Sequence, residues 1–154
     1  MSYYVRSFCK SEKVPTVTEL ETTLKSEYPA IRLETEDSKD GVWENLEFYY
    51  KDSNQPVVVE CSYNNSPESM AAEECEEFIE EIGKPGLSIV KRKVLEHLQQ
   101  TKYIISCQLL SDIDDDGYHL NGELLNIFVN NYSGLIQADG EGFYNGHKLI
   151  VELK

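Results

Sequence analysis

Between residues 112 and 123 the chain reads Asp112-Ile113-Asp114-Asp115-Asp116-Gly117-Tyr118-His119-Leu120-Asn121-Gly122-Glu123. Carboxylates at alternate positions, a glycine that allows a sharp turn, and one further acid are what a hard cation needs, since it draws about six to eight oxygens around itself. A second acidic constellation, Asp139-Gly140-Glu141-Gly142, falls in the penultimate β-rich run. Residues two apart on a strand share a face, so Asp139 and Glu141, with His147 nearby, form a candidate acid-base pair or cation holder. The competing reading there is that the glycines mark a bulge or strand end and the acids are solvated, and the sequence favours it.

The first segment matches D-x-[DN]-x-[DN]-G-x5-E and so resembles the calcium loop of the EF-hand family over those residues alone. The resemblance implies side-chain ligands at Asp112, Asp114, Asp116 and Glu123, a carbonyl ligand at Tyr118, and Ca2+ as the cofactor. The sequence departs from the family at His119 and Leu120, offers no second loop to pair with, and enters the segment from a strand rather than a helix. The same aspartates suit a helix N-terminus, whose unpaired amides and dipole favour acceptors and negative charge. The context favours that capped-helix reading, which requires no cofactor.

Other catalytic chemistry has little to stand on. The three histidines, His97, His119 and His147, lie on a helix, in the acidic loop and beside a hairpin turn, and none is framed by a nucleophile motif. GxSxG, Walker A, a GxGxxG after a strand, HExxH and paired CxxC do not occur. Cys9, Cys61, Cys75 and Cys107 are scattered and read as buried free thiols of a reducing, cytoplasmic protein. No apolar run approaches the roughly 18 residues that span a bilayer, and no leader is expected.

Charge narrows the partners. Against 28 acidic residues stand 14 basic ones, a net charge of −14. That field repels nucleic acid phosphates and anionic lipid, so neither nucleic acid nor membrane is an expected partner; a basic protein is compatible with it, while solubility alone is the reading of the charge that the composition favours. The leading expectation is a non-catalytic acidic interaction protein of adaptor, inhibitor or immunity type; the alternatives are a calcium-stabilised domain and an enzyme using Asp139 and Glu141.

The elements that would position these residues follow from periodicity and punctuation. At 154 residues, with 40% hydrophobic and 27% charged composition, residues 1–154 suit one globular domain with its own core. Tyr3 to Phe8 alternates like a strand. Thr16 and Glu19 form a capping box before a helix with Val17, Leu20, Leu24 and Tyr28 on one face. The runs 31–36, 43–50 and 56–63, separated by turn residues, predict an antiparallel meander with Val57-Val58-Val59 as its most central strand. Ser66-Pro67 predicts the start of a helix to Gly83 with Met70, Phe78, Ile79 and Ile82 inward and a row of glutamates outward. A second helix from Leu87 to about Gln100, burying Leu87, Val90, Val94 and Leu98, brings Lys91, Arg92 and Lys93 into ion pairs along that hairpin. A buried strand over 102–110, a helix over 118–131, and runs at 135–144 and 147–153 around Asn145-Gly146 complete the chain. The class is α+β, a mainly antiparallel sheet with about four helices. The order strand-helix-strand-strand recurs in 3–50 and 103–153, which suggests a duplicated unit with helices largely on one face of the sheet.

Overall fold

Alternating and continuous apolar runs become strands here, and periodic ones become helices. The computed structural model describes residues 3–153. It comprises β1 (Tyr3–Cys9), α1 (Val17–Lys25), β2 (Arg32–Glu34), β3 (Asn45–Tyr49), β4 (Val57–Tyr63), α2 (Met70–Ile82), α3 (Ile89–Gln99), β5 (Tyr103–Leu109), α4 (Asp115–Asn131), β6 (Gly134–Ala138), β7 (Gly142–Asn145) and β8 (Lys148–Glu152). The strands form one eight-stranded sheet in the order β2-β3-β4-β5-β1-β6-β7-β8. Every neighbouring pair is antiparallel. The fold is a single α+β domain with four helices.

The central pair is β5 with β1, in the register Arg6↔Ser106. Val57–Val59 lies in an interior strand, but β5 is the one whose residues are buried on both faces, as its continuous apolar run requires. Both strand-helix-strand-strand runs are present, β1-α1-β2-β3 and β5-α4-β6-β7, yet they are laid out in opposite senses. After α1 the chain goes to the sheet edge and works inward; after α4 it starts beside β1 and works outward.

Helices cover both faces, not one. Val17, Leu20 and Leu24 of α1 and Leu120, Leu124, Leu125 and Phe128 of α4 pack on the inward residues of the meander and on Cys9, Tyr103, Ile105 and Cys107. Ala71, Cys75 and Ile82 of α2, with Val94 and Leu98 of α3, pack against Phe8, Ile104, Phe143 and Val151 on the other side. Both faces of the centre are thus buried. The α2–α3 layer does not extend over β2 and β3, whose residues Arg32, Glu34, Asn45 and Glu47 remain exposed on that face.

Caps decide several boundaries. Thr16 accepts from the Glu19 amide at 3.1 Å, as its sequence predicts. α2 is capped by Ser69, which accepts from Ala72, not by Ser66; Ser66 instead closes the preceding turn by accepting from the Ser69 amide. Met70 therefore becomes the first helical residue and is 69% exposed. α3 likewise starts one cap later, at Ser88, leaving Leu87 in the turn and 99% exposed. The α2–α3 hairpin forms, but no ion pair joins their side chains among the described residues.

The C-terminal run splits. Residues 135–144 form two strands around a turn closed by the Glu141 amide and the Ala138 carbonyl, with Gly140 at φ 75°. The last hairpin pairs Asn145 with Lys148, so its two-residue turn is Gly146-His147, with Gly146 alone at positive φ (62°). That is the position at which a type II′ turn places glycine.

Candidate functional site

The acidic segment begins as a helix start. Asp114 is the N-cap of α4, its Oδ1 accepting from the Gly117 amide at 3.0 Å. Its Oδ2 takes a 2.7 Å ion pair from Lys51 Nζ, and Asp116 Oδ2 takes the same ammonium at 2.9 Å. Lys51, then the Gly117 amide, hold the Asp114 carboxyl below its usual range, and the two acids push the Lys51 ammonium up. Asp112 faces elsewhere: its Oδ2 accepts from the Gln55 amide at 2.9 Å and its carbonyl from Asn54 at 2.7 Å, tying the segment to the β3–β4 turn.

Tyr118 and Glu123 lie on α4, Tyr118 being 52% exposed. Along an α-helix Asp116 and Glu123 stand about 10 Å apart, whereas the EF-hand loop brings both positions to one ion. The structure brings Asp114 and Asp116 together on Lys51 and does not bring the five residues Asp112, Asp114, Asp116, Tyr118 and Glu123 to one point. Among the described residues no group of three or more His, Cys, Asp or Glu side chains is placed to hold a metal ion. Gly117 has a packing role instead: a Cβ there would come within 2.5 Å of Ile113 and 2.7 Å of the Tyr50 ring. Calcium binding in this segment would require the first turns of α4 to unwind and Lys51 to leave.

One variant tests the two readings together. Asp114→Ala is expected to lower the melting temperature by a few degrees whether or not millimolar calcium is present, because a cap is lost. A loss that appears only with calcium, in protein whose own melting point calcium raises, would assign Asp114 to a cation site.

The second constellation separates. In the β6–β7 turn Asp139 accepts from Arg6 Nη1 at 2.6 Å and from Gln137 at 3.2 Å, on the face covered by α2. Glu141 accepts from the Tyr3 and Tyr144 hydroxyls, on the face covered by α4. Of the two readings, the shared strand face fails because the acids occupy a turn around Gly140, where the glycines mark the strand end, and they form no acid-base pair. His147 lies in the exposed β7–β8 turn and borders the same cleft as Glu141. His119 meets the Tyr28 hydroxyl at 3.2 Å, and half-buried His97 donates to the Phe8 carbonyl at 2.7 Å. All four cysteines are free and buried, and burial pushes the Cys9 and Cys61 thiols up to about 12 and Cys75 to about 11, which disfavours the thiolate.

What the acidic composition builds is a surface. On the face of the meander turned away from α1 and α4, Glu34 of β2 stands directly opposite Glu47 of β3, and Glu60 of β4 follows opposite Asn45. Like charges directly opposite in an antiparallel pair destabilise it. Arg32 gives Glu34 partial relief at 3.5 Å but is shared with Asp52 at 3.1 Å. The Glu47 carboxylate has no hydrogen bond or ion pair among the described residues. This face continues through Glu44 and exposed Met70, which border one groove with Glu60, to α2. There Glu73, Glu76, Glu77, Glu80 and Glu81 are exposed and, among the described residues, outside any ion pair.

Sequence reasoning found the glutamates of α2 but not Glu34 and Glu47 as a pair, because strand register is set by partners far along the chain. The buried, unpartnered amide oxygen of Asn121 was also missed. Its spacing with Gly117, Leu120, Leu124 and Phe128 placed it on the buried stripe of α4, and a lone polar residue there was the available signal. No known protein family, curated protein or solved structure matches the chain.

Proposed function

We propose that the protein is a non-catalytic interaction domain, of adaptor, inhibitor or immunity type, that binds a basic protein partner through the open face of β2–β4 and the adjoining side of α2. The observation that carries this reading is the Glu34–Glu47 pair: two like charges face each other on an uncovered sheet surface, with Glu47 uncompensated among the described residues. A partner's Lys or Arg placed between them converts an internal cost into binding energy, and the net charge of −14 steers such a partner toward the protein. The same charge disfavours nucleic acid as a partner. Buried free thiols suit a reducing, cytoplasmic setting, and among the described residues no helix is long and apolar enough to cross a membrane.

Reversing one charge tests the reading. Glu47→Lys is expected to leave the fold intact with a slightly higher melting temperature, since it turns a like pair into an opposite one. It is expected to lower the affinity for a decalysine peptide, used as the probe of a basic partner, by about tenfold.

A further inference from the structure

On the opposite face, between α4 and the strands β1, β5 and β6, lies an open cleft of about 460 Å³. Val5, Leu109, Leu125 and Ile136 give it apolar walls, and Tyr3 and Tyr118 bring aromatic surface to its border. Among the described residues no Lys or Arg lines it; Asn126 and His147 stand at its border. Two further side chains present acceptors to it.

The first is Asn121, 3% exposed, on the core-facing stripe of α4; its side-chain Oδ1 is buried without a hydrogen-bond partner. A buried amide oxygen left unpaired is costly, so a polar residue among Leu120, Leu124 and Leu125 needs a compensating donor. The second is Glu141, whose carboxylate is held below its usual range by the hydroxyls of Tyr144 and Tyr3. Both phenols donate, so the acid is fixed in place with its charge retained and with lone pairs left for a further donor.

We propose that this cleft is a binding site for a small organic ammonium compound, with its apolar body against Leu125 and Ile136, its cationic head on Glu141, and an N–H donated to Asn121. The shape is that of an ordinary ligand pocket, mostly apolar with a few placed polar groups. The polarity of those groups selects the ligand: the ionised Glu141 and the unpaired Asn121 oxygen in a strongly acidic protein favour a donor-bearing cation over a carboxylate or phosphate. The aromatic rings near the charge add a favourable surface for a cation. This site is independent of the acidic sheet face, from which the sheet itself separates it.

The test is an amide-resolved NMR titration with phenethylammonium as the probe and 3-phenylpropionate as its anionic counterpart. Phenethylammonium at millimolar concentration is expected to give saturable shifts at Asn121, Gly122, Glu141 and Gly146, and 3-phenylpropionate none. Glu141→Gln keeps an oxygen to accept from one tyrosine hydroxyl and turns its NH2 to donate to the other hydroxyl's oxygen, and so should fold, while lowering the affinity about tenfold. Asn121→Leu, which replaces an unpaired acceptor by an apolar side chain of similar size, should melt no lower than the parent and also bind more weakly. The proposal is overturned by an absence of saturable shifts, by equal binding of the anion, or by affinities unchanged in both folded variants.

Discussion

Replacing Arg6 by methionine is expected to destabilise the protein by about 3 kcal/mol at neutral pH, and by clearly less in mild acid. The guanidinium sits on β1 beneath α2, mostly buried, where it pairs with Glu74 and Asp139, donates to Gln137 and lies over the rings of Tyr4 and Phe78. Burial raises the Glu74 carboxyl above its ordinary value even though Arg6 pulls it down. Without Arg6 that rise must grow. A carboxyl with a raised folded pKa favours the native state fully below its unfolded value and loses that contribution as pH climbs through the folded value. The deficit of Arg6→Met should therefore be complete near neutrality and shrink as pH falls toward the ordinary carboxyl value of 4.5. Urea unfolding of parent and variant at neutral pH and at about pH 5 reads it directly; a deficit that does not change with pH would mean that lost packing, not the stranded carboxylate, dominates.

Phe8→Ala should cost as much or more, about 3–5 kcal/mol, and should loosen the acidic helix. Phe8 is completely buried, meeting Phe78 edge-on at 5.6 Å and Phe143 at 5.8 Å, while Phe78 and Phe143 also meet edge-on at 5.6 Å. These three rings join β1, β7 and α2. Removing the Phe8 ring leaves a cavity that the other two cannot fill, since each is held by its own element. Hydrogen exchange is expected to quicken first in α2, ahead of β5, because α2 depends on this contact and on Arg6 for its docking. Uniform quickening across the sheet would place the contact in the global core rather than at the seat of α2.

These two anchors illustrate what the sequence could and could not reveal. Local signals read well: the Thr16 cap, the Val17-Leu20-Leu24 stripe, the turn residues that cut the meander into β2, β3 and β4, and the apolar run of β5 all became what they predicted. Each is decided by contacts within a few residues. The placement of β1 between β5 and β6 depends on pairing across about a hundred residues or more, as in Ser7↔Ile105 and Ser7↔Ile136, and no periodicity encodes it. That placement sets the depth of Arg6 and Phe8, and the β2–β3 register in turn sets Glu34 against Glu47.

Cap choice, a bulge and one distant lysine account for further differences. Ser66-Pro67 and Ser69 are both acceptable starts for α2, and the difference of three residues turns Met70 outward. Asn145-Gly146 carries a strong turn signal, but the bulge at Phe143/Tyr144 moves the turn by one residue and brings His147 to the rim of the cleft. The aspartate pattern at 112–123 could be read from the sequence as spacing; its outcome depended on Lys51, a residue of the meander that a local motif does not contain. The glycines beside Asp139 and Glu141 signal a bulge or strand end, the reading the sequence favours, and Gly140 indeed stands in a turn; a shared strand face for the two acids is the alternative that this turn removes.

The acidic sheet face is the central claim, and its most direct measurement is the affinity of the parent and of Glu47→Lys for decalysine, with melting temperatures taken on the same samples. The account predicts a variant that melts no lower than the parent and binds about tenfold more weakly, with parent binding that weakens as salt is raised. Unchanged affinity in a fully folded Glu47→Lys would contradict it, because the acid least compensated by its own fold would then play no part in meeting a basic partner.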